Sequence, residues 1–421
     1  MKHNIIVNIL LKASLTLIVI FYTMLCEAQQ TASFSPRIKT VKAEANGEWG
    51  VPPLILQSRG QYVDISFDDL QASYERYTYT ITHCNADWTK SDLLVSEYMT
   101  GFNDQHIEDY EPAIGTEMDY CHYFFTLPND NTKLLVSGNY KVEIFEDGED
   151  APVAQACFSI IEPHVGVDIN VSANTDIDYF VQHQQLSFSI NYSGYAISNP
   201  ISELKPVIMQ NRRWDTHVEG VNPSSMRVNQ LIYDHQRKLI FPAGNEFRRF
   251  EILDEYVPTM RVDHMEFSDP YYHATLFTDE QRINYLYDQD QNGRFYVRNG
   301  DNVNNDTESD YFYTHFALSM PKIGGGEVYL WGDLTDNRID ERYKMDYNLI
   351  DHQYEIALPL KQGSYNYQYI FVHDGEDIGT FAPTEGNFHQ TENEYWVYVY
   401  QRPFGSRYDK LVGFQKYNYK Q

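Results

Sequence analysis

Apolar and polar residues alternate position by position through much of this 421-residue chain. Val63, Ile65 and Phe67 alternate with Asp64, Ser66 and Asp68. Tyr77, Tyr79 and Ile81 alternate with Thr78, Thr80 and Thr82. Successive side chains on a strand point to opposite faces, so a period of two marks strands with one face in a core. Almost no segment holds a helical period. Further strands are expected at residues 120–127, 140–145 and 156–161, parted by the turn residues Pro128-Asn129-Asp130 and Asp147-Gly148. Aromatic residues make up 15% of the chain, including 35 Tyr, which suits half-buried strands and argues against disorder. The expected fold is all-β, with two to three tandem immunoglobulin-like or early-set β-sandwich domains.

Residues 29–163 hold roughly seven strands, enough for one immunoglobulin-like sandwich. Residues 164–310 continue the alternation with longer loops and are expected to form a middle β domain. A polar stretch at 300–309 then leads into 311–421, expected as an early-set sandwich with a basic C-terminal tail. That tail carries Arg402, Arg407, Lys410, Lys416 and Lys420 against Asp409, interleaved with Phe404, Tyr408, Phe414, Tyr417 and Tyr419. It reads either as a last strand or two, or as an arm that docks on a partner. An internal echo links the first and last regions. Ser137-Gly138-Asn139-Tyr140 and Gln362-Gly363-Ser364-Tyr365 each place Gly before a Tyr that enters a strand. Gly supplies the turn and the buried Tyr pins the strand at a sandwich corner.

The N-terminus has Lys2 and Lys12, an apolar run over 13–25 and then Cys26-Glu27-Ala28, the pattern of a secretory signal peptide spanning 1–28. The run is too short for a membrane span, which needs roughly 20 apolar residues. Cleavage after Ala28 is expected rather than lipidation at Cys26, because bulky Leu25 precedes that cysteine. Three cysteines follow, Cys84, Cys121 and Cys157, so at most one bridge can form, and buried thiols are the simpler reading. A formal net charge of −28 repels phosphate backbones and disfavours nucleic-acid binding.

Catalytic and metal signatures are weak. His83-Cys84 and Cys121-His122 bring zinc ligands together in sequence, but neighbours on a strand face opposite ways. Asp288-Gln289-Asp290-Gln291-Asn292-Gly293 opens like a calcium loop, yet Asn299 stands where the bidentate Glu belongs. The glycines at 324–326 lack the following Gly-Lys-Ser/Thr of a phosphate loop, and no Gly-x-Ser-x-Gly is present. No catalytic residue, cofactor, metal or small-molecule substrate is therefore expected.

Several blocks stand in a specific order: Phe67-Asp68-Asp69-Leu70, His83-Cys84-Asn85-Ala86-Asp87-Trp88, Glu97-Tyr98, Gly101-Phe102 and Ser137-Gly138-Asn139-Tyr140. Gln210-Asn211-Arg212-Arg213-Trp214-Asp215, Gly244-Asn245-Glu246-Phe247-Arg248, and the runs at 290–295 and 360–369 follow. Together, over about residues 35–415, they resemble the plug protein family of the type 9 secretion system of Bacteroidota. The resemblance implies a non-enzymatic periplasmic protein at the periplasmic face of the outer membrane. Its partner would be the large translocon barrel of that system, whose pore it would seal while the lateral exit is open. Arg and aromatic side chains make good interface anchors. Arg212, Arg213, Trp214, Arg248, Arg402, Phe404 and Arg407 are accordingly the expected partner contacts. An alternative starts from 328–334, which resembles glycogen-type carbohydrate-binding modules. There Tyr329 and Trp331 would form a glycan-stacking shelf.

Overall fold

The computed structural model describes residues 31–56, 60–71 and 73–420. The expected signal peptide and Cys26 lie outside the described residues. The chain is all-β, and its helical pieces are single turns such as Val95–Tyr98 and Asn305–Glu308. Three sandwich-like units each enclose a core, and each touches the other two.

In the first unit, one sheet runs Ala32–Ser33, Pro152–Ile161, Gly138–Glu146, Tyr77–Cys84, Gln105–His106. It faces a second sheet of Ile38–Ala45, Val63–Asp69, Cys121–Leu127 and Tyr110–Pro112. The alternation does what it forecast: Val63, Ile65, Phe67, Tyr77, Tyr79 and Ile81 all enter this core. Phe67 stacks on Tyr123 with ring centroids 5.1 Å apart, and Tyr77 meets both rings edge-on. Such pairs add about 0.5–1.5 kcal/mol beyond simple burial.

The two Gly–Tyr corners share a device. The Tyr140 hydroxyl donates to the carbonyl of Val136 at 2.7 Å, and the Tyr365 hydroxyl donates to that of Lys361, four residues back in both cases. Both glycines admit a close neighbour, and a Cβ at Gly138 would stand 2.5 Å from His83 Nε2. Gly138 also has φ of 131°, a left-handed backbone, and at Gly363 a Cβ would stand 2.4 Å from the carbonyl oxygen of Tyr296.

Strand pairing departs from the expected division at residue 310. Arg248–Ile252 and Phe295–Val297 both pair with Gly363–His373, and Tyr271–Leu276 pairs with Tyr311–Ser319. The third core thus draws on residues 250–371. The polar stretch 300–309 is a loop within that unit, between Phe295–Val297 and Tyr311–Ser319. The C-terminal hairpin goes elsewhere. Glu394–Gln401 pairs with Leu204–Gln210 and with Lys410–Asn418, and its Tyr395, Val397, Val399 and Val412 fill the middle core. The tail is therefore neither an arm nor a part of the third sandwich. Alternation shows which face of a strand is buried but not which distant strand lies beside it, and that is why the division was missed.

The hairpin also joins the middle unit to the first. Val207, Met209, Trp396, Tyr398, Tyr400 and Leu411 pack with Ala86 and Ile161. The Tyr400 hydroxyl donates to Asn139 Oδ1 at 2.9 Å, and the Glu162 amide donates to the Leu411 carbonyl at 3.0 Å.

Candidate functional site

Buried charges mark the seams between units. Asp68, fully buried in the first unit, accepts from Lys361 Nζ at 2.7 Å and the Tyr311 hydroxyl at 2.6 Å, both from the third. His122 Nδ1 lies 2.6 Å from its other oxygen. Burial pushes the Asp68 carboxyl up, but the Lys361 ammonium and the His122 contact outweigh it and hold the carboxyl well below its ordinary range. Asp310 closes the same seam by accepting from the amides of Glu117 at 2.7 Å and Met118 at 3.1 Å.

The seam between the middle and third units centres on Glu394, which is 1% exposed. Arg294 Nη2 lies 2.7 Å and Lys416 Nζ 2.8 Å from its oxygens. Arg212, held in a left-handed turn at φ of 60°, places Nη1 2.8 Å from both oxygens of Asp333 and donates to the Asn292 carbonyl at 2.9 Å. Where the three units meet, a cleft of about 200 Å³ remains. Trp49, Trp214 and Trp396 line it together with Arg212, Arg294 and Asp336.

These seams decide the fate of the residues expected to touch a partner. Arg212 is spent on Asp333. Arg213 reaches Asp215 and the Gly379 carbonyl, with its guanidinium over the rings of Phe381 and Trp331. Arg248, 7% exposed, forms a fork on Glu385 at 3.0 Å and meets Asp279 at 2.8 Å. Burial opposes its charge, but Glu385 and Asp279 prevail and raise it above the ordinary arginine value. All three therefore make their charged contacts inside the molecule. Trp214 is half-buried against Trp88. Arg402 is half-buried and faces Asp409 at 3.6 Å.

Two expected contacts stay outside. Phe404 is fully exposed at the tip of the C-terminal hairpin, and Arg407 is exposed and paired with Glu97. The tip is held firmly. Asp409 accepts from the Ala86 amide at 3.1 Å and from Lys205 at 3.0 Å, and the Asp92 amide donates to the Arg407 carbonyl at 3.3 Å. Leu94 and Val95, also exposed, flank Glu97 in sequence.

The glycan shelf does not form. Tyr329 and Trp331 are buried at 8% and 1% exposure, packed with Phe247, Ile370 and Val372. Val328 and Leu330 fill the third core on the other face. Both faces of this strand are covered, so no ring is free to stack on a sugar.

The remaining chemical candidates have structural partners. His83 bonds to Ser91 Oγ at 2.9 Å and the Ser137 carbonyl at 3.1 Å, and burial lowers it to about 4. Cys84, Cys121 and Cys157 are buried, and burial pushes the Cys84 thiol up to about 12. In the calcium-like loop, Asp288 pairs with Arg249 at 2.6 Å, and Asp290 accepts from the amides of Asn292 at 2.9 Å and Phe247. That loop is a turn stabilised by its own aspartates. Among the described residues no helix is long and apolar enough to cross a membrane.

Residues 38–162 match the family model of the type 9 secretion system plug protein, first domain. The whole chain is similar to a crystal structure of a hypothetical protein from Parabacteroides merdae, at 44% identity and a TM-score of 0.91. That match covers 93% of this chain and 99% of the other. The chain belongs to the type 9 secretion system plug family. No curated protein matches it. Two further matches are the C-terminal domains of Streptococcus agalactiae BspA and Streptococcus pyogenes AspA, at 9% and 8% identity. Each covers 90% of this chain and 99% of the other, and TM-scores of 0.14 and 0.15 are too low to bear on the fold. The matched residues belong to the first unit, so the seams join the matched region to the rest of the chain.

Proposed function

We propose that this plug-family chain is a non-enzymatic periplasmic protein that binds the outer-membrane translocon barrel of the type 9 secretion system and seals its pore. The observation that carries the reading is the closed triangle of units. Linked sandwiches ordinarily move relative to one another unless their interfaces are extensive. Here Asp68–Lys361, Arg212–Asp333 and the Trp396–Tyr400 cluster fix all three pairings with buried charge or apolar contact. A stopper across a wide pore must resist deformation, and three mutual seams give that resistance where a linear rod would flex. The exposed hairpin tip with Phe404 and Arg407 is the proposed contact with the barrel. It is rigid, large and amphipathic, so ordering it on binding costs little entropy.

The test is a permeability assay. Cells lacking this protein should become sensitive to large antibiotics that the outer membrane normally excludes, and expression of the wild-type chain should restore resistance. Unchanged sensitivity on deletion in cells with an intact barrel would remove the sealing role.

A further inference from the structure

On the outer face of the third unit two histidines meet. His273 lies on Tyr271–Leu276 and His315 on Tyr311–Ser319, parallel strands that set His273 beside Tyr313 and Thr275 beside His315. The register places both imidazoles diagonally on one face, while Ala274 and Thr314 between them are fully buried on the other. Nδ1 of His273 and Nε2 of His315 stand 2.9 Å apart, with the rings 25° from parallel. Both rings are half-buried. The neighbouring strand, Val262–Ser268, sets Glu266 opposite His273 and His264 opposite Thr275, and both are exposed.

A shared N–H···N bond explains the contact in the unloaded chain. The same separation also suits two nitrogens on one ion. At a metal–nitrogen distance of about 2.0–2.1 Å, cis ligands at a right angle stand about 2.9 Å apart, and tetrahedral ones about 3.3 Å. The shorter value fits the tetragonal preference of Cu2+ and Ni2+. We propose that His273 and His315 form a surface chelate for a divalent late transition-metal ion, Cu2+ or Ni2+, with Glu266 swinging in as an oxygen ligand. On loading, the proton between the facing nitrogens moves to the outward nitrogen of its own ring by way of solvent. Each ring then turns roughly 45° off the N···N line to aim its lone pair at the ion. Among the described residues no three His, Cys, Asp or Glu side chains already form a metal site, so the histidine pair is a two-point chelate that Glu266 and water complete on loading.

The experiment is calorimetric titration of the untagged mature chain with NiCl2. One equivalent should bind, at least about tenfold more weakly in His273→Ala and in His315→Ala. His164→Ala, at a histidine that is 41% exposed beside Glu162, should leave binding unchanged. Equal affinity in wild type and both strand variants would overturn the site, as would the absence of a one-equivalent isotherm. Paramagnetic resonance of the Cu2+-loaded wild-type chain needs no variant. Coupling to two equatorial nitrogens supports the chelate, and coupling to one or none overturns it.

Discussion

The turn at 211–215 and the hairpin tip at 402–407 look alike in sequence, each mixing arginines with an aromatic residue. In the folded chain they do opposite things. Arg212 and Arg213 face inward onto Asp333, Asp215 and a carbonyl, while Phe404 and Arg407 stay outside at the end of a tightly anchored hairpin. What separates them is what the fold brings alongside. The first turn abuts the third unit, where Asp333 and Phe381 wait. The second projects past the last strand pairing, where Arg407 pairs with Glu97 at the surface. An arginine-aromatic pattern thus announces anchoring without saying whether the anchor is internal.

The largest effect expected on the internal side is at Arg248, the most buried of the candidate arginines. Arg248→Ala takes from Glu385 its two-point cation, leaves Asp279 with Arg261 alone, and should lower unfolding free energy by about 3–5 kcal/mol in denaturant titration. A loss under about 1 kcal/mol would mean that these carboxylates find water or other partners easily. At the seam between the first and third units, Lys361→Met should cost a similar amount by stranding Asp68. Because the folded Asp68 carboxyl lies below its unfolded value, the stability it lends is present above about pH 4. It is lost as pH falls further.

Asp336 should behave in the opposite sense. Burial pushes its carboxyl up to about 6, with bonds from the Ser33 amide and the Tyr343 hydroxyl offsetting part of the rise. A raised acid favours the folded state at low pH, so this contribution is complete below about pH 4 and disappears as pH climbs through 6. Asp336 also borders the cleft, and contact with water there limits the effect to about 1 kcal/mol. Asp336→Asn should flatten thermal stability between pH 4 and 6. An unchanged slope would assign that pH dependence to other groups. The smallest effect on stability is expected at the exposed tip, where Phe404→Ala should change unfolding free energy by no more than about 0.5 kcal/mol.

Much of the fold was legible because alternation is local. The strands around Val63, Tyr77 and Tyr140 lie where their patterns put them, and both Gly–Tyr corners work through the same hydroxyl-to-carbonyl bond. Long-range pairing was not legible. Nothing in 394–418 reveals that it completes the middle unit, and nothing near Arg248 reveals that its partners come from residues 279 and 385. Tyr329 and Trp331 read as an outward face because the neighbouring strand positions are apolar, but this strand is covered on both sides. His273 and His315 carried only a faint signal, two histidines on separate strands, and the parallel register that joins them appears only in the fold.

We propose that a rigid, three-unit plug docks on the translocon barrel through its exposed hairpin tip. The most direct measurement is affinity purification of tagged wild-type and Phe404→Ala/Arg407→Ala chains from detergent-solubilised outer membranes, with mass spectrometry of what copurifies. The large barrel protein should copurify with the wild type and be markedly depleted with the double variant, at equal folded yield. Absence of the barrel from the wild-type sample would contradict the docking itself, and equal recovery with both chains would place the contact on another surface.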